Sequence, residues 1–545
     1  MSSAFSGVPA PVNEKPREYA PGSEERTSLQ TELTRQRSQT IEIPLIIGGQ
    51  PESARATRPI VCPHDHRAPL GIYHCGDARA ATRAADAALE AGRDWQRTPW
   101  EDRVAIFLKA ADLIAGRYRY VLNAATMLGQ SKNVRQAEID AACELVDYLR
   151  FNAFFMATIY DQQIRQKTSA SWTLLEYRPL EGFVFAVTPF NFTAIGGNLP
   201  TAPAMMGNTV VWKPSGGAVL SAYYIMQILR EAGLPDGVIN FLPGSSRDLA
   251  PAILDRREFA GIHFTGSTAA FNGIWKQVGD NIGGGRYRTY PRLVGETGGK
   301  GFVIAHADAD VDALSVALFR GAFEYQGQKC SAASRAYIPR SIWRAVRDEL
   351  ARMADEAVVG DVCDFRTFMG AVIDEASFDN IRTHLEHARA SREAEIAIGG
   401  GLDRSRGYFV KPTVIVTSNP RSVTMEEEIF GPVLTVYVYE DGQFDDILRI
   451  ADETSPYGLT GAVFARSRSV IRTAIRGLIH AAGNLTINDT PTGAQVGRQP
   501  FGGARMSGTN DKAGSGLNLL RWVSPRTIKE SFSPPRDFAY PHMRA

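Results

Sequence analysis

The 545-residue chain has no excess of charge and no long apolar run. Its 60 basic and 59 acidic residues nearly cancel, so its charge does not favour a nucleic-acid or anionic-membrane partner. No stretch of 18 apolar residues occurs, so the sequence predicts no membrane-spanning helix. The N-terminal region lacks the apolar core of a secretory signal. These absences predict a globular protein of two or three domains, cytoplasmic or, in a eukaryote, in the mitochondrial matrix.

Cysteine is scarce and follows no regular spacing, which is typical of a reducing compartment. The five cysteines are Cys62, Cys75, Cys143, Cys330 and Cys363. Two of them belong to a group with nearby histidines, namely Cys62, His64, His66, His74 and Cys75. That spacing fits none of the common zinc patterns, and Pro63 and Pro69 favour a hairpin instead. We therefore predict no metal site.

The common G-x-G-x-x-G dinucleotide fingerprint is also missing, yet strands and helices alternate from Gly182 onward. The predicted strands are 183–188, 209–212, 238–242 and 261–265, and residues 219–232 form one of the predicted helices. This order indicates an α/β fold with a parallel sheet covered on both faces. Ligands bind such sheets at the carboxyl ends of the strands. Asn191, Lys213 and Gly266 follow three of these ends.

Further elements are predicted on either side of this region. Residues 1–40 are polar and predict an arm with little core of its own. Short β-like runs fill 41–72, and 78–161 is mostly helical. Beyond Cys330 a second α/β alternation reaches residue 488, with helices near 343–357 and 378–390.

The stretch 137–152 within the helical region predicts one amphipathic helix. Its apolar stripe, expected toward the core, is Ile139, Cys143, Leu145 and Leu149. Its acidic residues, expected to be mostly solvated, are Glu138, Asp140, Glu144 and Asp147. The alternative is that Glu144 or Asp147 faces a pocket.

Two short stretches carry the residues of covalent acyl chemistry. Cys330 stands in GAFEYQGQKCSAASR (321–335), between small residues that let a substrate approach. Glu296 stands in LVGETGGKG (293–301), where a strand-like run enters a glycine-rich turn. A thiolate nucleophile and a carboxylate base on separate loops suit thioester formation followed by hydrolysis. From its own stretch alone, Cys330 as a nucleophile and Cys330 as a buried structural thiol are equally favoured.

Six motifs in order resemble the aldehyde dehydrogenase superfamily over residues 40–535. They are PFNF at 189, WKPS at 212, FTGST at 264, GETGGK at 295, GQKCSA at 327 and EEIFGP at 427. The resemblance implies a Rossmann-type NAD-binding domain (41–161 and 183–297) and an α/β catalytic domain (298–490). It also implies a small β flap for oligomerisation, which we place at 162–182 and 505–545, and hence a homodimer or larger homo-oligomer.

The same resemblance implies a role for each motif. Cys330 is the nucleophile, Glu296 the base that activates water, and Asn191 with the Cys330 backbone N–H the oxyanion hole. The dinucleotide contacts that it implies are Thr188, Lys213, Gly266, Ser267, Thr268, Ala269, Ala270, Glu428 and Phe430.

Several stretches, including the tail loop 487–511, resemble more narrowly the branch that oxidises L-glutamate γ-semialdehyde to glutamate in proline degradation. This implies a small-molecule substrate whose carboxylate is held by Ser331, Gly493 and Ala494, with Glu144 and Phe501 nearby. NAD as cofactor is implied by the same branch. Gly216 stands where many superfamily members have the glutamate that binds the adenosine ribose, so the preference for NAD over NADP rests on this narrower resemblance.

Two alternatives remain open on the sequence. One is an NAD(P)-dependent dehydrogenase for another carboxylate-bearing semialdehyde. The other is a cysteine acyl hydrolase without dinucleotide, which would need a histidine partner; none of the nine histidines stands in a recognisable site motif.

Overall fold

We describe residues 7–164 and 171–544 of a computed structural model. Parts of the predicted arm (1–6) and of the predicted flap (165–170 and 545) lie outside these residues. None of the helices in the described ranges is both long and apolar enough to cross a membrane.

The described helices are distributed along the whole described chain and flank the sheets. They are α1 (Glu24–Ser38), α2 (Ala78–Trp95), α3 (Trp100–Ala115), α4 (Arg119–Gln130), α5 (Val134–Ala137), α6 (Leu145–Tyr160), α7 (Thr193–Met205), α8 (Val219–Ala232), α9 (Ser246–Leu254), α10 (Thr268–Gly283), α11 (Val311–Phe323), α12 (Arg340–Glu356), α13 (Glu375–Ala390), α14 (Val423–Glu426), α15 (Phe444–Glu453), α16 (Arg468–Gly477) and α17 (Gly516–Leu519).

The described strands are shorter and fall into two large sheets and several small ones. They are β1 (Ile41–Ile43), β2 (Leu45–Ile47), β3 (Gln50–Glu52), β4 (Thr57–Ile60), β5 (Gly71–His74), β6 (Ser171–Pro179), β7 (Phe183–Val187), β8 (Thr209–Lys213), β9 (Ile239–Phe241), β10 (Phe259–Thr265), β11 (Arg292–Glu296), β12 (Phe302–Ala305), β13 (Arg335–Pro339), β14 (Ala394–Ile398), β15 (Leu402–Asp403), β16 (Phe409–Val410), β17 (Thr413–Thr417), β18 (Val433–Tyr439), β19 (Tyr457–Gly458), β20 (Thr460–Phe464), β21 (Asn484–Ile487), β22 (Ala504–Arg505) and β23 (Val523–Ser531).

The first large sheet has the order β11-β10-β7-β8-β9-β2-β3. The five strands from β11 to β9 are parallel, as predicted, while β2 pairs antiparallel with both neighbours. Side chains alternate between two cores: Val184 and Val210 enter one, whereas Phe185 and Val211 enter the other. Helices therefore cover both faces, and this explains why these strands are apolar throughout.

The second large sheet has the order β14-β17-β18-β13-β12-β20-β21. It is parallel except for β14, which pairs antiparallel with β17 at the edge. The predicted helices near 343–357 and 378–390 correspond to α12 and α13. Cys330 lies in the loop between α11 and β13, so the second sheet carries the nucleophile stretch.

The predicted hairpin is confirmed, and the two segments assigned to the flap lie in one small sheet. β4 and β5 pair antiparallel, so the Cys62–Cys75 region is a hairpin with a long loop. β6 pairs antiparallel with β23 over nine residue pairs, which joins the two segments predicted to form the flap. Their oligomerisation role stays a prediction.

The N-terminal arm is better ordered than its composition indicates. It contains α1, whose Leu29 and Leu33 are buried in the same core as α4. The prediction of a segment with little core of its own missed this contact, because the helix is polar on average and buries only a narrow stripe.

The prediction for residues 137–152 was partly wrong. A π-helix (Glu138–Glu144) separates α5 from α6, and it leaves Ile139 38% exposed while burying Glu138, Asp140 and Asp147. A π-turn widens the helix by about one residue and so shifts every side chain after it around the axis. Cys143 and the predicted core residues Leu145 and Leu149 are buried as expected.

Candidate active site

Residues predicted to bind ligand meet at one edge of the first sheet. Val187 pairs with Lys213, and Thr265 pairs with Glu296. Because these strands are parallel, their carboxyl ends point the same way. Thr188, Lys213, Gly266 and Glu296 therefore lie side by side where a ligand of such a sheet is expected.

The FTGST turn leads directly into α10. Ser267 is the N-cap, and its Oγ accepts a hydrogen bond of 3.3 Å from Ala270 N. Of the predicted contact residues, Gly266 and Ser267 thus lead into a 16-residue helix, and Thr268 to Ala270 begin its first turn. The free backbone N–H groups and the positive end of such a helix favour a phosphate.

The nucleophile follows a strained turn. Tyr325, Gln326 and Gly327 have φ of 52°, 56° and 63°, so three successive residues adopt the left-handed conformation. The Gln326 amide nitrogen donates to the carbonyls of Ser131 (2.9 Å) and Ala371 (2.6 Å). These bonds to distant segments hold the turn, and with it the position of Cys330.

Three of the predicted motifs touch at the GETGG turn. A Cβ on Gly299 would collide with the Cys330 carbonyl, and a Cβ on Gly298 would collide with the Glu428 carboxylate. Gly299 N donates to Glu428 Oε1 at 2.7 Å. Glycine at these two positions therefore brings the base, nucleophile and EEIFGP stretches within contact of one another.

Asn191 connects the first sheet to the nucleophile loop. It follows β7, is buried, and donates its Nδ2 to the Gln328 carbonyl at 3.1 Å. An amide NH₂ carries two hydrogens, so this bond fixes the side chain beside Cys330 and uses one donor.

The surroundings of Cys330 and Glu296 disfavour the charged forms of both side chains. Burial raises the pKa of the Cys330 thiol, and the carboxylates of Glu296 and Glu428 act in the same direction. The backbone N–H groups of Cys330 and Ser331 oppose that rise. Burial also raises the pKa of Glu296 well above its ordinary value, and its Oε2 has no hydrogen-bond partner. A buried oxygen without a partner is available to water or substrate.

Lys512, which no sequence motif identified, acts on Glu296. Its charge lowers the pKa of Glu296, opposing burial. Lys512 Nζ is fixed by the carbonyls of Gly483 (2.8 Å) and Gly502 (3.1 Å). A lysine in a glycine-rich loop belongs to no motif that would identify it from the sequence. Only the folded C-terminal region brings Lys512 close to Glu296.

A cavity of about 290 Å³ opens at Cys330. All five residues predicted to bind substrate line it: Ser331, Gly493, Ala494, Glu144 and Phe501. The sequence analysis missed further lining residues, among them Asn13, Glu14, Pro16 and Lys329. The first three belong to the predicted arm, which forms one wall of the cavity. Asn13 and the Glu14 backbone hold that wall through hydrogen bonds of 2.8 and 2.7 Å to Asp147.

The π-helix contributes the acidic residues Asp140 and Glu144 to the wall of the cavity. Burial and the neighbouring Asp140 raise the pKa of Glu144 to about 8, which Lys132 partly opposes. Lys132 Nζ lies 2.7 Å from Asp140 and over the rings of Phe192 and Tyr325.

Asp140 in turn anchors the segment that follows Asn191. Its carboxylate accepts the backbone N–H groups of Thr193 (2.9 Å) and Ala194 (2.8 Å) at the start of α7. A carboxylate at a helix N-terminus stabilises the helix. The buried Lys132–Asp140 pair therefore supports both the cavity wall and the oxyanion segment.

Replacing Lys132 by methionine is expected to destabilise the protein by about 3–5 kcal/mol, since Asp140 would remain buried without its cation. The measurement is the urea midpoint of unfolding. Lys276→Met removes a comparable pair to Asp280 whose side chains are 77% and 67% exposed, so it should cost only about 0.3–0.5 kcal/mol. Equal losses in the two variants would contradict the importance of the buried pair.

The remaining predicted cofactor residues lie near the carboxyl edge of the first large sheet. Burial lowers the pKa of Lys213 to about 8 and raises that of Glu428 to about 7. Phe430 (φ 55°) packs edge-to-face on Phe190. Thr188 Oγ1 accepts a bond of 3.1 Å from Trp212.

Comparisons with known proteins agree with this geometry. The family model described as "Aldehyde dehydrogenase family" matches residues 50–528. The chain is 51% identical over 541 residues to "Delta-1-pyrroline-5-carboxylate dehydrogenase, mitochondrial" of Dictyostelium discoideum, with 99% of this chain and 97% of the relative covered. Its counterpart in Bos taurus is 48% identical over 534 residues, with 98% and 94% covered.

Solved structures extend the likeness to three dimensions. The delta-pyrroline-5-carboxylate dehydrogenase from Mycobacterium tuberculosis bound with NAD superposes with a TM-score of 0.96 at 51% identity, over 100% of both chains. The 1-pyrroline-5-carboxylate dehydrogenase from Thermus with bound NAD gives 0.90 at 31% identity, over 96% of this chain and 100% of that one. The chain therefore belongs to the aldehyde dehydrogenase family.

Proposed function

We propose that this protein oxidises L-glutamate γ-semialdehyde, which equilibrates with 1-pyrroline-5-carboxylate, to L-glutamate with NAD as oxidant. The observation that carries the proposal is the position of Cys330. It touches the turn that bears Glu296 and also opens into a cavity that Gly493 and Ala494 line. The relatives described above, named for this reaction at about half identity over nearly the whole chain, support it.

The residues present fit a dinucleotide. The first turn of α10 offers backbone N–H groups to the phosphates, and Lys213 and Glu428 stand as hydrogen-bonding side chains at the same sheet edge. Thr188 and Phe430 complete the proposed set. When bound there, NAD would supply the hydride acceptor that converts the adduct held by Cys330 into a thioester.

Acylation depends on the nucleophile loop. The Cys330 thiolate attacks the aldehyde carbon, and the carbonyl oxygen becomes an oxyanion. The second hydrogen of the Asn191 amide and the backbone N–H of Cys330 stabilise that charge. Because burial raises the pKa of the thiol, its proton must leave to solvent before attack, and the backbone N–H groups of Cys330 and Ser331 favour the resulting thiolate.

Deacylation depends on Glu296 alone. Its carboxylate removes a proton from water, the resulting hydroxide adds to the thioester carbon, and the C–S bond then breaks to release the Cys330 thiolate. The product leaves as a carboxylate. Lys512 favours the ionised form of Glu296 that this step requires.

The rate of deacylation should rise with pH. A carboxyl whose pKa is raised by burial is protonated at low pH and gains its basic form only as pH passes that raised value. The measurement is kcat against pH with 1-pyrroline-5-carboxylate. Lys512→Met should move the rising limb to higher pH, because it removes the charge that lowers the pKa of Glu296; an unshifted limb would contradict this role.

The substrate carboxylate requires donors at the far end of the cavity, because a buried charge without partners is costly. Gly493 has φ 87° and nothing within 4 Å of where its Cβ would be, so its N–H can face a ligand. The Ser331 hydroxyl and the Ala494 N–H are the other proposed donors. Glu144 is placed to receive the substrate ammonium when it is ionised.

Each charge-assisted hydrogen bond to the substrate carboxylate contributes about 1.5–3 kcal/mol. A substrate without the carboxylate should therefore have a kcat/KM lower by on the order of a hundredfold or more. The experiment compares 1-pyrroline-5-carboxylate, succinic semialdehyde and pentanal by NADH absorbance. Succinic semialdehyde, which is shorter and lacks the amino group, should fall between the other two. If pentanal matched 1-pyrroline-5-carboxylate in kcat/KM, the proposed carboxylate-binding site would be wrong and only general aldehyde oxidation would stand.

A cysteine hydrolase is the weaker candidate. It needs a histidine beside the thiol, and none lines the cavity at Cys330 within the part of the chain that the structure describes. Burial raises the pKa of Cys330, and the carboxylates of Glu296 and Glu428 raise it further.

We propose that the β6–β23 sheet joins subunits of a homo-oligomer. Among the described residues its two strands pair with each other alone, and the sheet exposes Trp172 (49%), Leu174 and Ile528. A two-stranded ribbon with open edges is marginal alone and is completed by pairing with a second copy. Sedimentation of the purified protein as a monomer would contradict this.

A further inference from the structure

A second cavity, of about 160 Å³, lies where the N-terminal arm meets the body of the protein. We call it the arm cavity. Arg135 lines both this cavity and the one at Cys330, so the two are neighbours. The charged residues that line the arm cavity are Arg17, Glu18, Arg26 and Arg135. Three guanidiniums from separate segments therefore converge there with one carboxylate.

Aromatic rings, rather than carboxylates, orient the two arginines of the arm. The Arg17 guanidinium lies 5.2 Å from the centre of the Tyr120 ring and donates to the Tyr120 hydroxyl. The Arg26 guanidinium lies 4.9 Å from the centre of the Phe365 ring and donates to the Tyr19 carbonyl at 3.5 Å. Stacking of this kind fixes a guanidinium and leaves most of its five N–H donors free for a ligand.

The turn between these two arginines is held by buried hydrogen bonds. Tyr19 has a φ of 53°, and its hydroxyl donates to Glu138 at 2.6 Å and accepts from Asn123 at 2.9 Å. The backbone N–H of Arg17 donates to Glu138 at 2.8 Å. Such bonds maintain a left-handed conformation that is unfavourable on its own. The positions of Arg17 and Arg26 are therefore set before any ligand binds.

The positive charge of the arm cavity is only partly cancelled. Arg135 lies 3.9 Å from Glu18, and their side chains are 52% and 80% exposed, so this ion pair is weak. Asp364 is bound by Arg366 at 3.0 and 2.7 Å, which lowers its pKa, and Arg26 adds only a smaller effect. Among the described residues, the lining thus has an excess of two formal positive charges.

This excess and its arrangement match a phosphate group. A phosphate carries about 1.5–2 negative charges at neutral pH. Its oxygens point in different directions, so guanidiniums on separate segments can each donate to one of them. A carboxylate has one charge and two oxygens in a single plane, and it matches the site less well. We propose that Arg17, Arg26 and Arg135 bind one phosphate group in the arm cavity, either free phosphate or the monoester of a small metabolite.

A phosphate bound there joins the arm, through Arg17 and Arg26, to the start of α5, through Arg135. The same arm forms one wall of the cavity at Cys330. Phosphate should therefore slow amide hydrogen exchange in this wall, at Glu14 and Arg17, whose N–H groups bond to the body of the protein at 2.7 and 2.8 Å.

The test is a calorimetric titration of inorganic phosphate into the full-length protein with saturating NAD, which fills the phosphate site at α10. One phosphate per chain is expected. Arg26→Gln and Arg135→Gln should each weaken binding by about tenfold to a hundredfold. Arg344→Gln is the matched control, because this side chain is 89% exposed on α12, outside the arm cavity. It should keep the wild-type Kd.

Glycerol 3-phosphate distinguishes the two sources of the phosphate group. Tighter binding than that of inorganic phosphate would identify a monoester as the ligand, and weaker binding would identify free phosphate.

The proposal is overturned if the NAD-saturated wild type binds no phosphate or if binding is unchanged in both glutamine variants. It is also overturned if glutamate displaces phosphate more strongly than glycerol 3-phosphate does, because the site would then select a carboxylate. If Arg26→Gln misfolds, Arg135→Gln and amide exchange of the wild type with and without phosphate decide the matter. No aldehyde is present, so the outcome is independent of the proposed oxidation.

Discussion

Replacing Cys330 by serine is expected to lower kcat for aldehyde oxidation on the order of 10⁴-fold or more, as loss of a covalent nucleophile does in other enzymes. A serine hydroxyl at this position has no strong base to ionise it, and its adduct cannot form the thioester. NADH absorbance with 1-pyrroline-5-carboxylate measures the loss.

Cys75→Ser is the matched control, because Cys75 is a partly buried free cysteine outside the cavity. It should retain wild-type kcat. Turnover by Cys330→Ser equal to that of the control would remove Cys330 from the mechanism.

Replacing Glu296 by glutamine is expected to separate the two half-reactions. The amide is isosteric but cannot accept a proton from water, so hydrolysis of the thioester should slow by about 10²–10⁴-fold. A burst of NADH approaching one per chain should survive, followed by a slow steady state. Stopped-flow absorbance resolves the burst from turnover.

Glu440→Gln is the control, since Glu440 lies on the surface in a pair with Arg340. It should show wild-type turnover. A Glu296→Gln enzyme with neither burst nor turnover would mean that Glu296 is needed for acylation first, and one with unchanged turnover would exclude it as the base.

The sequence predicted the parts of the fold that depend on local pattern. Helix 219–232 has the bounds predicted from the sequence, and the predicted strands 183–188 and 209–212 differ from β7 and β8 by one residue at the carboxyl end. Buried parallel strands are apolar throughout and are bounded by turns, so they are easily recognised. The residues at their carboxyl ends followed from sheet topology, which places Lys213 and Glu296 together.

The parts that the sequence could not predict depend on contacts between distant residues. Glu138 looks like a solvated side chain, but it is buried because Arg119, Asn123 and Tyr19 bind it. Nothing local marks these partners. The same holds for the N-terminal wall of the cavity and for Lys512, both of which reach the site only through tertiary structure.

The most direct test of the proposed function is the simultaneous measurement of NADH and glutamate formed by the wild-type enzyme from 1-pyrroline-5-carboxylate and NAD. We predict equal amounts of the two products at every time point after the first turnover, and neither product with Cys330→Ser. Absence of NADH with this substrate, or glutamate formed without NADH, would contradict oxidation through a Cys330 thioester.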